Sequence, residues 1–281
     1  MKYCIEYNTE CSKKLINSVE ELIIRYNKKD FLKLIEYAKS NTNQRIIFSI
    51  DDIDECLKDK VLEKFIAIKK ENPDFNFSIR LAKYNKEIKE ILKKANFKFF
   101  FNIHVNDWDT FIGLSNLNVS DIYITENLGF EIDKVAAIAH KKDIQIRVFP
   151  NVCQSSWLET DTLKTFFIRP EDIDEYESYV DVIQFFDDGK KLDVLYDIYH
   201  NDKKWFGKLN EIIIGLDSDI DSRYIIPRFA QKRIKCGKEC FKNGRCKMCE
   251  RVNDLSKTLQ KAKLLVKLDK KKEESEERAN G

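Results

Sequence analysis

Four thiols crowd into fourteen positions near the end of the chain. Residues 236–249 read CGKECFKNGRCKMC, which spaces Cys236, Cys240, Cys246 and Cys249 as C-x3-C-x5-C-x2-C. The residues between them are mostly Gly, Lys, Glu, Asn and Arg, so the stretch has no core of its own. A bound metal would supply the missing folding energy, and Asn243-Gly244 offers a tight turn between the two Cys pairs. Thiolates are soft ligands that select zinc or an iron–sulfur cluster. Paired knuckles suit zinc; four irregularly spaced Cys suit a 4Fe–4S cluster equally well. The competing reading is a set of reduced thiols or two disulfides, and a reducing compartment disfavours the disulfides.

The surroundings are basic. From Arg223 to Arg251, ten Lys or Arg face only Glu239 and Glu250, so this window carries +8 and the rest of a +2 chain carries −6. Lys235, Lys238, Lys242 and Arg245 are the candidates for contact with nucleic-acid phosphates. The plainer reading is compensation, in which the cations balance metal-bound thiolates and lower the thiol pKa values. Tyr224, Phe229 and Phe241 interleave the charges, fewer aromatic residues than stacking platforms use.

The rest of the chain must position this segment. It has 281 residues, 43% apolar and 35% charged, with only 8 Gly and 4 Pro, which excludes collagen-like, linker-rich and disordered classes. No signal-peptide pattern follows Met1, and no apolar run approaches the ~18 residues of a membrane helix. The expected location is therefore the cytoplasm, with no membrane partner. Short runs rich in Ile, Phe, Val and Tyr predict strands at 2–8, 45–51, 76–82, 98–105, 121–126, 144–150, 165–169 and 180–186. Helical periodicity predicts Val19–Ser40, Leu62–Lys70, Ile88–Ala95, Phe130–Lys141 and Leu192–His200 as helices between them, and Pro170 fits the first turn of a short helix. Eight strands with crossovers predict an α/β fold, a TIM-like (β/α)8 barrel; the runner-up is an open doubly wound sheet. The expected division is a barrel over 1–206, a Cys-rich basic metal-binding module over 207–253, and an amphipathic helix with a charged tail over 254–281. The helix carries Leu255, Leu259, Ala262, Val266 and neighbouring Leu; it is expected to dock on its own domain, with a partner interface as the alternative.

Strand parity sharpens the site. Alternate side chains share a face, and one face of several strands is repeatedly polar. That face places Glu6, Asp51, Arg80, His104, Arg147, Gln184 and Arg169 inside the barrel. Buried charges must pair or be solvated, so the set is either an internal salt-bridge network or a pocket at the C-terminal mouth. Barrel sites lie at that mouth, which favours Asn8, Asp51, His104, Glu126, Asn151, Arg169 and Asp187. His104, Glu126 and Arg169 are the candidate catalytic groups. Cys153 follows the sixth expected strand in RVFPNVCQSSW and could be a nucleophile, a metal ligand or a small mouth residue.

The sixth strand, IQIRVFPNVC, preceded by IYITENLGFEIDKVAAIAHKKD, resembles the collagenase-like peptidase family U-32 over about residues 1–190. The resemblance implies a barrel, and several members hydroxylate RNA or quinones with an iron–sulfur cluster held by four Cys. Cys153 stands where a family Cys follows the strand. The second Cys expected there is absent, with Gln154, Ser155, Ser156 and Trp157 in its place, so the cluster does not carry over residue by residue. The C-x3-C-x2-C that radical S-adenosylmethionine enzymes use after the first strand is absent too. The expected function is a metal-binding barrel that modifies nucleic acid or a small metabolite. The alternative is a non-catalytic barrel that binds nucleic acid or a protein through a zinc-stapled basic knuckle.

Overall fold

The structure, a computed structural model, describes residues 1–40, 43–83, 87–88, 90–91, 99–153, 166–186, 192–216, 219–226, 228–236 and 247–279, with the backbone alone at 126 and 268–279. Among them, nine parallel strands form one curled sheet: β1 (Lys2–Glu6), β2 (Glu21–Arg25), β3 (Arg45–Ile50), β4 (Phe77–Leu81), β5 (Phe100–Phe101), β6 (His104–Val105), β7 (Asp121–Ile124), β8 (Gln145–Val148) and β9 (Val182–Gln184). Their order is β5-β4-β3-β2-β1-β9-β8-β7-β6. The two outermost strands are neighbours in the chain, separated by Asn102 and Ile103. β5 pairs with β4, β6 pairs with β7, and Phe99 bridges Val119.

The convex face is apolar. Tyr3, Ile5, Leu22, Ile24, Ile46, Phe48, Ile79, Leu81, Ile122, Ile146 and Ile183 belong to one large buried cluster with the helices. Helix Val61–Glu71 contributes Val61, Leu62 and Phe65, and helix Ile132–Ala139 contributes four buried residues. Burial of a side chain of this size stabilises by about 1.5–3 kcal/mol, so the cover fixes the sheet's curvature. The concave face carries a smaller cluster of Cys4, Ile23, Ile47, Phe100, Tyr123, Phe149 and Val182. This is the alternation that parity predicts, with the polar set on the concave side.

Two expected elements differ. Val19–Ser40 is not one helix: Glu21–Arg25 is β2, and the helix spans Phe31–Ser40. Leu22-Ile23-Ile24 is buried on both faces, so its apolar run has no alternation to mark it as a strand. The run 165–169 forms no strand over its described part. Phe166, Phe167 and Ile168 are buried in the helix-side cluster, and Ile168 N donates to the Pro150 carbonyl at 3.1 Å. An apolar run reports burial, and here the burial comes from helices instead of strand pairing. Pro170 does open a short turn, Pro170–Asp172. Most of Ile88–Ala95 lies outside the described residues.

The chain after the last strand returns to the same core. Leu209, Ile213, Ile220, Phe229 and Ile234 are buried with the sheet's convex side chains. Ile214 N donates to the Asn151 carbonyl at 2.7 Å, and Cys153 N donates to the Ile214 carbonyl at 2.8 Å. Helix Met248–Ala279 closes the described chain. No helix among the described residues is long and apolar enough to cross a membrane.

Candidate functional site

The concave face has two polar layers of opposite character. The lower one, toward the strand N-termini, is an ion-pair network bordered by a cavity of about 460 Å³ that Glu21, Arg45, Ser120 and Gln145 help to line. Arg147 Nε lies 2.7 Å from Asp121 Oδ1, and its Nη2 contacts Glu21. Arg45 crosses from β3 to Asp121 on β7 at 2.7 Å and reaches Glu21 at 3.3 Å. Ser78, Ser120 and Gln145 take its remaining donors. Two guanidinium and two carboxylate groups thus neutralise one another, as buried charges require. Burial alone would raise the Asp121 carboxyl, but Arg147 and Arg45 more than offset it and hold the group well below the usual carboxylate range. Arg147 also lies 4.9 Å over the Phe100 ring.

The upper layer is open. Glu6 ends β1 and accepts from Arg80 Nη2 at 3.0 Å and Arg25 Nε at 2.7 Å. Burial pulls its carboxyl up, yet the two guanidinium groups leave it below its ordinary value, so it stays an anion. Arg80 Nε also donates to Ser49 Oγ at 3.0 Å, and Ser49 Oγ donates to Asp51 at 3.1 Å. A buried aromatic stack lies on the same concave face. Tyr123 and Phe149 stack at 5.3 Å with an interplanar angle of 11°, and the His104 ring lies 5.2 Å from Phe149. Tyr123 Oη donates to Gln184 Oε1 at 2.7 Å, and burial pushes its phenol up to about 12, so it remains a donor. Phe186 is half exposed and is clasped at its backbone by both ends of the Asn151 amide, at 2.6 and 3.1 Å. A cavity of about 470 Å³ opens here, lined by Glu6, Tyr7, Asn8, Arg25, Gln184 and Phe186 among others.

The expected site residues separate in space. His104 is exposed at the mouth, beside Tyr123 and Phe149. Arg169 corrects the sequence reading: it grips Asp172 with two 2.7 Å contacts, donates to the Ser222 carbonyl at 3.2 Å and lies over Phe229. Because 166–169 is not a strand, parity does not apply to it, and Arg169 fastens two turns on the helix side. Cys153 packs half-buried against the helix-side core, apart from the inner aromatic group that holds His104. Asn8 caps a turn through Glu10 N and Cys11 N. Glu126 begins helix Glu126–Gly129, and its side chain lies outside the description, as does Asp187. Sequence reasoning missed Glu21, Arg45 and Asp121. Arg45 shares the parity of Ser49, and Asp121 that of Tyr123, so the signal was present for those two; Glu21 was hidden with β2.

In the Cys-rich segment, Cys236 and Cys249 are described, and Cys240, Cys246, Lys238, Lys242 and Arg245 lie outside. Cys236 follows helix Phe229–Ile234 and Cys249 lies in the first turn of the last helix; both pack on the large core cluster. The two outer thiols thus pack on one core. Among the described residues, no group of three or more His, Cys, Asp or Glu is placed to hold a metal. The basic window divides. Lys232, Lys235, Lys247 and Arg251 are exposed, Arg223 is held by Asp221 at 2.8 Å, and Arg233 is buried among Phe130, Phe167 and Phe229.

No protein-family model and no curated protein matches the sequence.

Proposed function

We propose that the chain is a closed (β/α)8 barrel and a metal-dependent modifying enzyme whose ligand, a small metabolite or a nucleotide of a nucleic acid, binds at the C-terminal mouth. Closure would make 99–105 a single stave that joins β4 to β7, giving eight staves in all; the pairing of β5 with β4 and of β6 with β7 supports this. The observation that carries the site is the contrast between the two polar layers. The charges of the lower layer neutralise one another, whereas Glu6, Arg25 and Gln184 line an open cavity beside Tyr7 and Phe186, with Arg80 held on Glu6 behind them. The exposed rings of Tyr7 and Phe186 offer contact to a planar ring, and the guanidinium and amide groups read polar edges. His104 would supply the imidazole for proton transfer at the same edge. Cys236, Cys240, Cys246 and Cys249 would hold zinc or an iron–sulfur cluster, which at a structural site supplies folding energy and in an iron–sulfur enzyme supplies redox chemistry. The resemblance to the U-32 family is consistent with the iron–sulfur form.

A panel of nucleotides, nucleobases and small carboxylic acids, followed by thermal shift, tests the mouth. A ligand should raise the midpoint of the wild type and bind roughly 10–100-fold more weakly to Arg25→Ala or Glu6→Gln, each of which removes a charged hydrogen bond worth about 1.5–3 kcal/mol. A ligand that binds both variants unchanged contradicts the assignment. The second reading, a non-catalytic nucleic-acid binder, is favoured by the exposed Lys232, Lys235, Lys247 and Arg251 beside the Cys segment. It requires steeply salt-dependent RNA or DNA binding that is lost when Lys235, Lys238, Lys242 and Arg245 are neutralised.

A further inference from the structure

Gln184 ends β9, lines the mouth cavity and is only 3% exposed. Its amide has one fixed orientation. Tyr123 is buried, so its O–H needs an acceptor. Among the described residues the acceptor it has is Gln184 Oε1, at 2.7 Å. Arg80 stands beside the same phenol and can only donate to it. Turning the Gln184 amide over would therefore leave the phenol proton unpaired in the interior, at the full cost of a buried unsatisfied donor. Gln184 Nε2 is left over. Nothing among the described residues accepts from it, yet it is not shut away from solvent, so it opens on the cavity as a donor.

Two neighbours complete the set. β9, β1 and β2 are adjacent strands. Gln184 lies level with Cys4, Glu6 stands two residues above Cys4 and level with Ile23, and Arg25 stands two residues above Ile23. The Glu6 carboxylate can only accept, and Arg25 can only donate. Arg25 Nε holds Glu6, while its two Nη groups have no partner among the described residues. One wall of the cavity therefore reads donor, acceptor, donor in strand order, beside the exposed rings of Tyr7 and Phe186. We infer, on the reading of the mouth as a ligand site, that it binds a planar ring through an imide edge (C=O, N–H, C=O). One carbonyl meets Gln184 Nε2, the N–H meets Glu6, and the other carbonyl meets Arg25. A cytosine-type edge sets a ring-nitrogen lone pair against Glu6, and a carboxylate brings that group no donor at all. Either leaves polar groups of the site unpaired, which is how such sites reject the wrong ligand.

Ligand-observed NMR titrations of the full chain test this with uracil, 3-methyluracil and cytosine at millimolar concentration. Uracil should bind, and the other two should bind roughly tenfold or more weakly. Gln184→Glu keeps the acceptor for Tyr123 and removes the donor, so it should weaken uracil by a similar factor with the thermal midpoint retained. Tyr123→Phe releases the Gln184 amide to turn over. It should narrow the preference for uracil over cytosine, which a purely structural tyrosine would leave unchanged. An oligouridylate that binds more tightly than uracil marks a ring carried in a strand, and equal binding marks a free ring; both keep the imide edge. Equal binding of uracil and 3-methyluracil, or no binding of uracil, overturns the imide. If a carboxylic acid or another ring binds instead, and Arg25→Ala and Glu6→Gln weaken it, the mouth stands as a site and the imide assignment alone falls.

Discussion

Asp121 is the residue on which the interior depends most. It accepts from both Arg45 and Arg147 with no exposure of its own side chain. Asp121→Asn leaves two guanidinium groups facing one remaining carboxylate, Glu21, and should cost about 3–5 kcal/mol in denaturant unfolding. The folded carboxyl is held below its ordinary value, so its contribution is complete above the usual carboxylate range and is lost as pH falls through that range and below it. The wild type should lose stability on acidification more steeply than Asp121→Asn; equal slopes would contradict the ion-pair account. The thiols give a second residue-level test. Burial pushes Cys4 and Cys56 up to about 12, so neither should be alkylated at mild alkaline pH until the protein unfolds. Rapid labelling of either in the native state would contradict the packing.

At the scale of elements, close packing explains both what could be read and what could not. Glu126–Gly129 turns directly over Phe166, and a Cβ at Gly129 would overlap that ring. Phe166 is buried and cannot easily yield, so Gly129→Ala should lower stability by about 1–3 kcal/mol, checked by the thermal midpoint. The same ring belongs to the run at 165–169 that reads as a strand. Its apolar residues report burial, and a single sequence does not say whether helices or strands bury them. β2 fails in the opposite sense, since its three apolar residues merge with the helical periodicity that follows. The two errors leave the strand number near its expected value while moving Arg169 out of the interior and Glu21 into it. Parity at β1, β4, β7 and β8 was legible because each alternates an apolar or tyrosine side chain on the convex face with a more polar set on the concave one, such as Glu6, Arg80, Asp121 and Arg147. Parity places Arg45 and Asp121 on the concave face, but their pairing across 76 positions leaves no local trace.

At the scale of the molecule, the buried ion pairs and the proposed site occupy different layers of the concave face. The lower concave layer is a network of mutually neutralised ion pairs; the upper layer opens on a cavity lined by Glu6, Tyr7, Arg25 and Phe186 among others. The chain beyond β9 covers the convex side and carries Cys236 and Cys249 on the common core, so a metal there would brace the end of the fold and not the mouth directly. The near-neutral total charge hides this division, because the cations gather around the thiols while the remainder of the chain is acidic. Metal content of protein purified anaerobically without chelator tests the account most directly. The account predicts iron with inorganic sulfide, or one zinc per chain, reduced by Cys240→Ser and by Cys246→Ser. Protein that holds neither metal would contradict it.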